Sequence, residues 1–201
     1  MKVATGLKPY KQGNLDNLCG IYAIINALRW GLRHSAPISE SDCMALKLAM
    51  IQSLEKRGQL IATIEDGLSI PEFTKLLKTA EIWLQKKKGI SQLTHKPFHT
   101  KRSLPLETFS MKLSEHLSNQ KSAAVFVTTG RLEHWTVPTD INSKIIKLWD
   151  SDGLQWFRLQ NCSCTTFDEP SLQTLKIIPS GLFLLSFSIA NSNTLPSVRW
   201  E

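Results

Sequence analysis

The hydrophobic pattern of this chain changes its period about halfway along its 201 residues. In the first half, apolar residues recur every three or four positions, as they do on one face of an amphipathic helix. In the second half, short runs rich in β-branched and aromatic residues are separated by turn-forming residues, which is typical of antiparallel strands. Helices followed by strands, without a repeat or a dividing linker, predict one α+β domain over residues 1–201.

Residues that begin or end helices set the bounds of the predicted elements. Ser39 precedes Asp42 by three positions, as in a capping box, and Pro71 is of a type favoured at the first helical position. Lysines before Gly89 are a usual helix ending, and residues 89–105 are predicted to form a loop. The predicted helices cover residues 17–30, 39–58, 71–89 and 106–117, and the predicted strands cover residues 123–128, 134–137, 144–150, 154–159 and 182–189.

The second and third predicted strands are expected to form a hairpin whose loop centres on Asn142. His134 and Asp150 are eight residues from that centre on either side. They are therefore expected to face each other directly across the ladder, or diagonally if a bulge intervenes, so that the carboxylate can hold the imidazole. Trp135 and Trp149 are likewise equidistant from Asn142, so they are expected to pair on the opposite face.

The first turn of the first predicted helix contains Cys19. Unpaired backbone N–H groups and the positive end of the helix dipole favour a thiolate there, which is the form a nucleophile requires. Upstream, the side-chain amide of Gln12 can donate a hydrogen bond to an oxyanion, with Asn14 and Asn17 as alternatives for that role. Gly20, beside the cysteine, leaves room for a substrate backbone.

A nucleophilic cysteine needs a base within hydrogen-bonding reach and a third group that orients the base. His134 and Asp150 fit these two roles, so the predicted triad is Cys19, His134 and Asp150. Asp152 can replace Asp150 if the register slips, although it reads more simply as part of a turn. Trp135, next to the predicted base, is a second expected substrate contact.

These residues resemble the papain-like cysteine peptidases, in the broad sense that includes the bacterial peptidase C39-like enzymes. The likeness implies an N-terminal helical half, with the nucleophile on a central helix, packed against a C-terminal antiparallel β-sheet. It also implies a thiol hydrolase that cleaves a peptide or isopeptide bond in a protein substrate, with Gln12 and the Cys19 backbone N–H holding the oxyanion. The resemblance rests on four stretches of the sequence, which follow one another in the order Gln, Cys, His and Asp. They are residue 12 and residues 18–27, 133–135 and 148–151.

The same triad does not determine which molecule accepts the acyl group from the cysteine. Several relatives deamidate or transfer the acyl group of a glutamine, which is a second hypothesis, and a non-catalytic binding protein with a basic surface is a third. Small free-standing members often act as effectors or process ubiquitin-like tails. The resemblance therefore implies a ubiquitin-like protein as one class of substrate, and no cofactor is expected because thiol chemistry needs none.

The charge of the chain indicates what kind of partner it has, and its hydropathy indicates its cellular compartment. Lys and Arg outnumber Asp and Glu by 24 to 17, so the net charge of +7 favours an acidic partner. A nucleic-acid partner is not favoured, because no motif that reads RNA or DNA accompanies the basic residues. We expect a cytoplasmic protein with reduced thiols, because residues 1–14 lack the apolar run of a signal peptide and no run in the chain is long enough for a membrane span. Export as an effector by a dedicated secretion system is compatible with this, and the oligomeric state is left open.

Two further clusters have the residue types of metal ligands. His95 and His99 have the spacing of two ligands on a helix face, but they fall in the predicted loop and lack the glutamate of a zinc-protease motif. Cys43, Cys162 and Cys164 contain no C-x-x-C pair and do not fit the usual zinc modules. No metal site is predicted, and these three cysteines are interpreted as structural thiols.

Overall fold

The described residues, 7–12, 17–97, 103–165 and 175–189, form an α+β fold with five α-helices and eight β-strands in this computed structural model. A short 3-10 helix at Leu159–Asn161 precedes the seventh strand. In chain order the elements are α1 (Cys19–Leu32), α2 (Glu40–Lys56), α3 (Leu60–Asp66), α4 (Ile70–Lys88), β1 (Ile90–Pro97), α5 (Leu106–Leu117), β2 (Ser122–Gly130), β3 (His134–Thr136), β4 (Pro138–Ile141), β5 (Ile145–Leu148), β6 (Trp156–Arg158), β7 (Cys162–Cys164) and β8 (Leu175–Ile189).

Helices α2, α4 and α5 agree with the sequence prediction, and local capping explains two of them. Before α2, the Ser39 side chain accepts a hydrogen bond from the Asp42 N–H, and the Asp42 carboxylate accepts one from the Ser39 N–H. Helix α4 has Pro71 in its first turn and ends at Gly89, whose φ of 63° lies in the left-handed region that glycine adopts at little cost.

Four elements lie outside the predicted ranges: α3, β1, β4 and β7. Strand β1 occupies the region predicted to be a loop, and it pairs antiparallel with β8 in spite of its mostly polar sequence. Of the β1 side chains that the structure describes, only Ile90 and Leu93 belong to the hydrophobic core. Helix α3 is seven residues long and buries only Thr63, while Ile61 is 65% exposed. Without a buried apolar stripe, α3 has no helical period to detect.

The strands form two sheets where the sequence predicted one. The larger sheet has the order β1-β8-β2-β3, and β7 adds to β8 as a parallel strand. The smaller sheet has the antiparallel order β4-β5-β6. Strand β2 is buried on both faces, with Ala123 and Val125 in one core cluster and Ala124 and Phe126 in the other. The larger sheet is therefore covered on both sides.

Helix α1 lies at the centre of the first core cluster. Twelve of its 14 residues are buried, and it contacts α2 and α4 as well as β2, β3 and β8. On the other face of the larger sheet, α5 packs with the smaller sheet around Phe109 and Leu113. Among the described residues, no helix is long and apolar enough to cross a membrane.

Candidate functional site

The three predicted triad residues meet where α1 approaches the seam between the two sheets. Cys19 is the first residue of α1, His134 is the first residue of β3, and Asp150 lies two residues beyond β5. The Nε2 atom of His134 lies 2.8 Å from Oδ2 of Asp150, and the imidazole also interacts with the Cys19 side chain, which contributes to its raised pKa. His134 and Asp150 are buried whereas Cys19 is partly exposed, so the site is accessible at the sulfur.

The register of the β4–β5 hairpin explains why His134 and Asp150 meet. Pro138 of β4 pairs with Leu148 of β5. If this register is extended past Pro138 and Leu148, away from the turn, Thr136 lies opposite Asp150. His134 is two residues from Thr136, so its side chain lies on the same face of the strand. The turn of the hairpin lies beyond its predicted centre at Asn142, because Ile141 pairs with Ile146, and the bulge in β4 moves the pairing back by only one residue. The directly opposed arrangement is therefore wrong, and the diagonal arrangement is confirmed.

The predicted tryptophan pair is also wrong, because the two residues belong to different parts of the fold. Strand β3 pairs with β2 of the larger sheet, not with the segment that contains Trp149. Trp135 stacks on Phe73, with ring centroids 3.9 Å apart and planes 2° from parallel. Trp149 instead contacts Trp30 of α1, with centroids 5.2 Å apart.

Both carboxylate oxygens of Asp150 are held by hydrogen bonds. The Thr136 hydroxyl donates to Oδ2 at 2.5 Å, and the backbone N–H groups of Asp152 and Leu154 donate to Oδ1 at 2.8 and 3.4 Å. The Asp152 side chain is exposed, so its predicted alternative role as the orienting carboxylate is wrong. Thr136 was missed, although its position two residues after His134 on the same strand is a signal for a shared face.

The electrostatics of the pair favour the charged form of each partner. Burial alone would lower the pKa of His134, but the hydrogen bonds and charges of Asp150 and Cys19 raise it to about 10. Burial would raise the pKa of Asp150, but His134, Thr136 and the Asp152 N–H together hold it below its ordinary value. At neutral pH the imidazole is therefore protonated and the carboxylate is ionised. A protonated imidazole beside a cysteine favours the thiolate.

Gln12 is brought to the triad by contacts with the residue that follows Asp150. Its N–H donates to the Ser151 carbonyl at 3.1 Å, and the Ser151 hydroxyl donates to its side-chain oxygen at 3.4 Å. These contacts join positions 139 residues apart in sequence. The structure therefore places Gln12 next to the residue that follows Asp150, and its oxyanion role stays a prediction.

Two asparagines were predicted as alternatives to Gln12 for the oxyanion role, and the structure describes only one of them. The Asn17 side-chain amide donates to the carbonyls of Ile64 and Glu65, at 3.1 and 2.7 Å. Both bonds hold the end of α3, so the predicted alternative role of Asn17 at the oxyanion is wrong. Asn14 lies outside the described residues.

Gly20 and Trp135, predicted as substrate contacts, are both buried in the core. A Cβ atom on Gly20 would lie 2.7 Å from Leu68 Cδ2 and 3.2 Å from Trp135 Cδ1. The indole N–H of Trp135 donates to the Leu68 carbonyl at 2.9 Å. The structure therefore gives both residues a packing role, between α1 and β3, in place of the predicted substrate contact.

The remaining cysteines and histidines do not form a second centre. Cys43, Cys162 and Cys164 are buried free thiols, which agrees with a structural role. Burial raises the pKa of Cys162 to about 11 and that of Cys164 to about 12. His95 lies on β1, and His99 is outside the described residues. Within the part of the chain that the structure describes, no group of three or more potential ligands could hold a metal ion.

Comparisons of the chain with protein-family models, with curated proteins and with solved structures found no significant match. The chemistry is therefore argued from the site itself. A partly exposed thiol, a protonated imidazole and an oriented carboxylate together can supply a sulfur nucleophile and return a proton to a leaving group.

Proposed function

We propose that this protein is a papain-like thiol hydrolase that cleaves a peptide or isopeptide bond in a protein substrate. The observation that carries the proposal is that His134 is hydrogen-bonded to the Asp150 carboxylate at 2.8 Å and also interacts with the Cys19 side chain. The nucleophile, the base and the orienting group are thus linked in the order that thiol catalysis needs. The position of Cys19 at the start of a helix supports the same assignment.

The proposed reaction passes through a thioester. The Cys19 thiolate attacks the carbonyl carbon, and the carbonyl π electrons move to the oxygen. As the C–N bond breaks, the His134 imidazolium donates its proton to the leaving nitrogen, so that an amine departs. Water then attacks the thioester while His134 accepts a proton from it, and the Cys19 thiolate leaves as the carboxylic acid product forms.

The other residues of the site serve this sequence of steps. Asp150 keeps the imidazole oriented through both transfers, and it stabilises the charged form before the first transfer and after the second. The oxyanion accepts hydrogen bonds from the Cys19 backbone N–H and from the Gln12 side chain. Backbone N–H groups in the first turn of a helix have no partner within the helix and are well suited to this role.

Selective alkylation tests the activated nucleophile. Native protein is treated with limiting iodoacetamide near pH 6, and the adducts are mapped by mass spectrometry. We expect Cys19 to react on the order of 100-fold faster than an ordinary thiol, because a thiolate paired with an imidazolium persists at that pH. The buried Cys43, Cys162 and Cys164 serve as internal controls. A Cys19 rate no greater than theirs would contradict the proposal.

Two histidine variants separate the proposed base from a general loss of imidazole. His134→Ala is expected to abolish the selective reactivity of Cys19 at low pH. His34→Ala, which removes an exposed histidine elsewhere on the surface, is expected to leave it unchanged. If both variants retain the wild-type rate, His134 is not paired with the thiolate.

A substrate trap distinguishes hydrolysis from the other acyl chemistries. The Cys19→Ala variant is used to capture proteins from a lysate, and each captured protein is then incubated with the wild-type enzyme. Hydrolysis splits the captured protein into fragments whose masses sum to the substrate plus water. An intact product with the mass gain of an amide-to-acid conversion would show deamidation instead.

A further inference from the structure

A cavity of about 460 Å³ has no part in the proposed chemistry, and no triad residue lines it. One wall includes Arg131 and Leu132, which precede His134 in sequence, and the other includes Leu154 and further residues that follow Asp150. Leu154 links the second wall to the triad, because its N–H donates to Asp150 at 3.4 Å. We call this cavity the arginine pocket, and its apolar walls and basic rim include Leu132, Leu154, Phe157, Leu175, Arg131 and Arg158.

Two arginines give the arginine pocket its positive charge. Arg131 and Arg158 are both exposed, and neither forms a salt bridge with another described residue. Among the described residues that line the cavity, none is acidic. Because a guanidinium presents its N–H groups as a planar fork, it matches the two oxygens of a carboxylate. The rim is therefore complementary to an anionic group.

Apart from Asn161, the remaining described lining is apolar, and it is partly open to solvent. The Trp156 ring is 48% exposed, and the Arg158 guanidinium lies over it at 5.6 Å from the ring centroid. An exposed tryptophan beside aliphatic walls offers an area that a ligand side chain can bury. The lining as a whole suits a ligand with an apolar side chain next to a carboxylate.

We propose that the arginine pocket binds an acidic segment of the protein substrate. An apolar side chain of that segment packs between Leu132, Leu154 and Phe157, and a neighbouring Asp or Glu carboxylate binds to Arg131 and Arg158. This inference rests on the proposed function, because it names the substrate feature that the same site recognises. The net charge of +7 supports it, since the charge attracts acidic chains over longer distances.

The test uses the full chain with Cys19→Ala, which removes turnover. A hexapeptide library with randomised central positions is incubated with this protein, and bound peptides are identified by mass spectrometry. Peptides with Asp or Glu beside Leu, Ile, Phe or Trp are expected to be enriched. By fluorescence anisotropy, the most enriched peptide should bind about tenfold more tightly than its counterpart with Gln or Asn in place of the acid.

A matched pair of charge variants locates the binding. Arg131→Gln with Arg158→Gln should abolish the preference for the acidic peptide. Lys86→Gln with Lys87→Gln removes the same charge from exposed positions at the end of α4 and should preserve that preference. All four substitutions are at exposed positions, and thermal unfolding confirms that the fold is kept. Retention of the preference in the arginine variant, or a library without acidic enrichment, overturns the inference.

The outcomes also separate this inference from the proposed function. Binding of acidic peptides by the Cys19→Ala protein without any cleavage by the wild type would remove the proposed function and keep the pocket. Cleavage by the wild type without selectivity for acidic peptides would keep the proposed function and remove the role proposed for the pocket. A nucleotide such as ATP is added as a competitor. Tight ATP binding that is lost in the arginine variant, together with no peptide enrichment, would replace the peptide with a nucleotide.

Discussion

At the scale of single residues, the Thr136 hydroxyl is the contact that most directly controls the proposed base. Thr136 is 1% exposed and donates to the same Asp150 oxygen that accepts from His134. Its bond also contributes to the low pKa of Asp150. Thr136 touches no reacting atom in the proposed mechanism, so it is a positioning residue whose effect must pass through the carboxylate.

Thr136→Val removes this hydroxyl at nearly constant shape. We expect a loss of about 1 kcal/mol in the free energy of unfolding, measured by urea denaturation, because one buried hydrogen bond to a charged group disappears. We also expect the pKa of Asp150 to rise. The acidic limb of the Cys19 alkylation rate, measured against pH, should therefore move to higher pH.

Thr136→Ser provides the control, because it keeps the hydroxyl and loses only a methyl group. This variant should restore the wild-type pH profile even if it is slightly less stable. A purely structural role for Thr136 would lower the stability of the Val variant without moving the pH profile. Equal displacement of the profile in both variants would contradict the role of the hydroxyl.

The identity of the triad could be predicted from the sequence, but the groups that hold it could not. Cys19 follows from a helix start, and the meeting of His134 with Asp150 follows from their placement on the two sides of one turn, although the register differs from the predicted one by two residues. The hydrogen bonds from the Asp152 and Leu154 N–H groups depend on the backbone of one turn, which residue spacing does not describe. Such contacts can be identified only from the three-dimensional course of the backbone.

At the scale of elements, α1 is held against β8 by a close approach at Gly31. A Cβ atom at this position would lie only 2.1 Å from Cε2 of Phe187. The helix conformation itself does not need glycine here, and alanine would favour the helix by about 1 kcal/mol. Glycine at position 31 is therefore explained by the space that the Phe187 ring occupies.

Gly31→Ala tests this packing. We expect a net loss of about 1–2 kcal/mol in the free energy of unfolding, because overpacking of the core exceeds the gain in helix propensity. In the background of Phe187→Leu, which frees space beside the helix, the same substitution should cost much less. Denaturant unfolding of the four proteins of this double-mutant cycle measures the coupling. An unchanged cost in the second background would show that Phe187 is not the obstacle.

Elements with strong local signals are those that the sequence predicted. Helix α2 has a capping box, and α4 lies between Pro71 and Gly89, so their bounds agree with the prediction to within two residues. Strand β1 obtains its conformation from backbone bonding to β8, about ninety positions away. Because its own side chains are mostly polar, the partner strand and not local sequence decides its structure.

At the scale of the whole molecule, the triad joins parts of the fold that have separate cores. Cys19 packs against the cluster around α1, whereas the smaller sheet that precedes Asp150 packs with α5 in the other cluster. The bond between His134 and Asp150 therefore connects the larger sheet with the hairpin of the smaller one. The stability of the molecule should depend on the charge state of this pair.

The direction of that dependence follows from the two pKa shifts. The pKa of His134 is raised from 6.5 to about 10, so its contribution to stability is complete below pH 6.5 and is lost as the pH rises towards 10. The pKa of Asp150 is lowered from 3.8, so its contribution is complete above that pH and is lost as the pH falls further. The pair should stabilise the fold most between about pH 4 and 6.5.

Thermal unfolding of the wild type and of His134→Gln, measured from pH 4 to 10, tests this window. The difference in the free energy of unfolding should be largest near pH 5 to 6 and should decrease at higher pH by up to about 1 kcal/mol per pH unit. Glutamine keeps a hydrogen-bonding side chain but has no titrating group, so the change with pH reports the charge of His134. A difference that stays constant between pH 7 and 10 would mean that the folded protein holds His134 neutral in that range, which is incompatible with a resting thiolate and imidazolium pair.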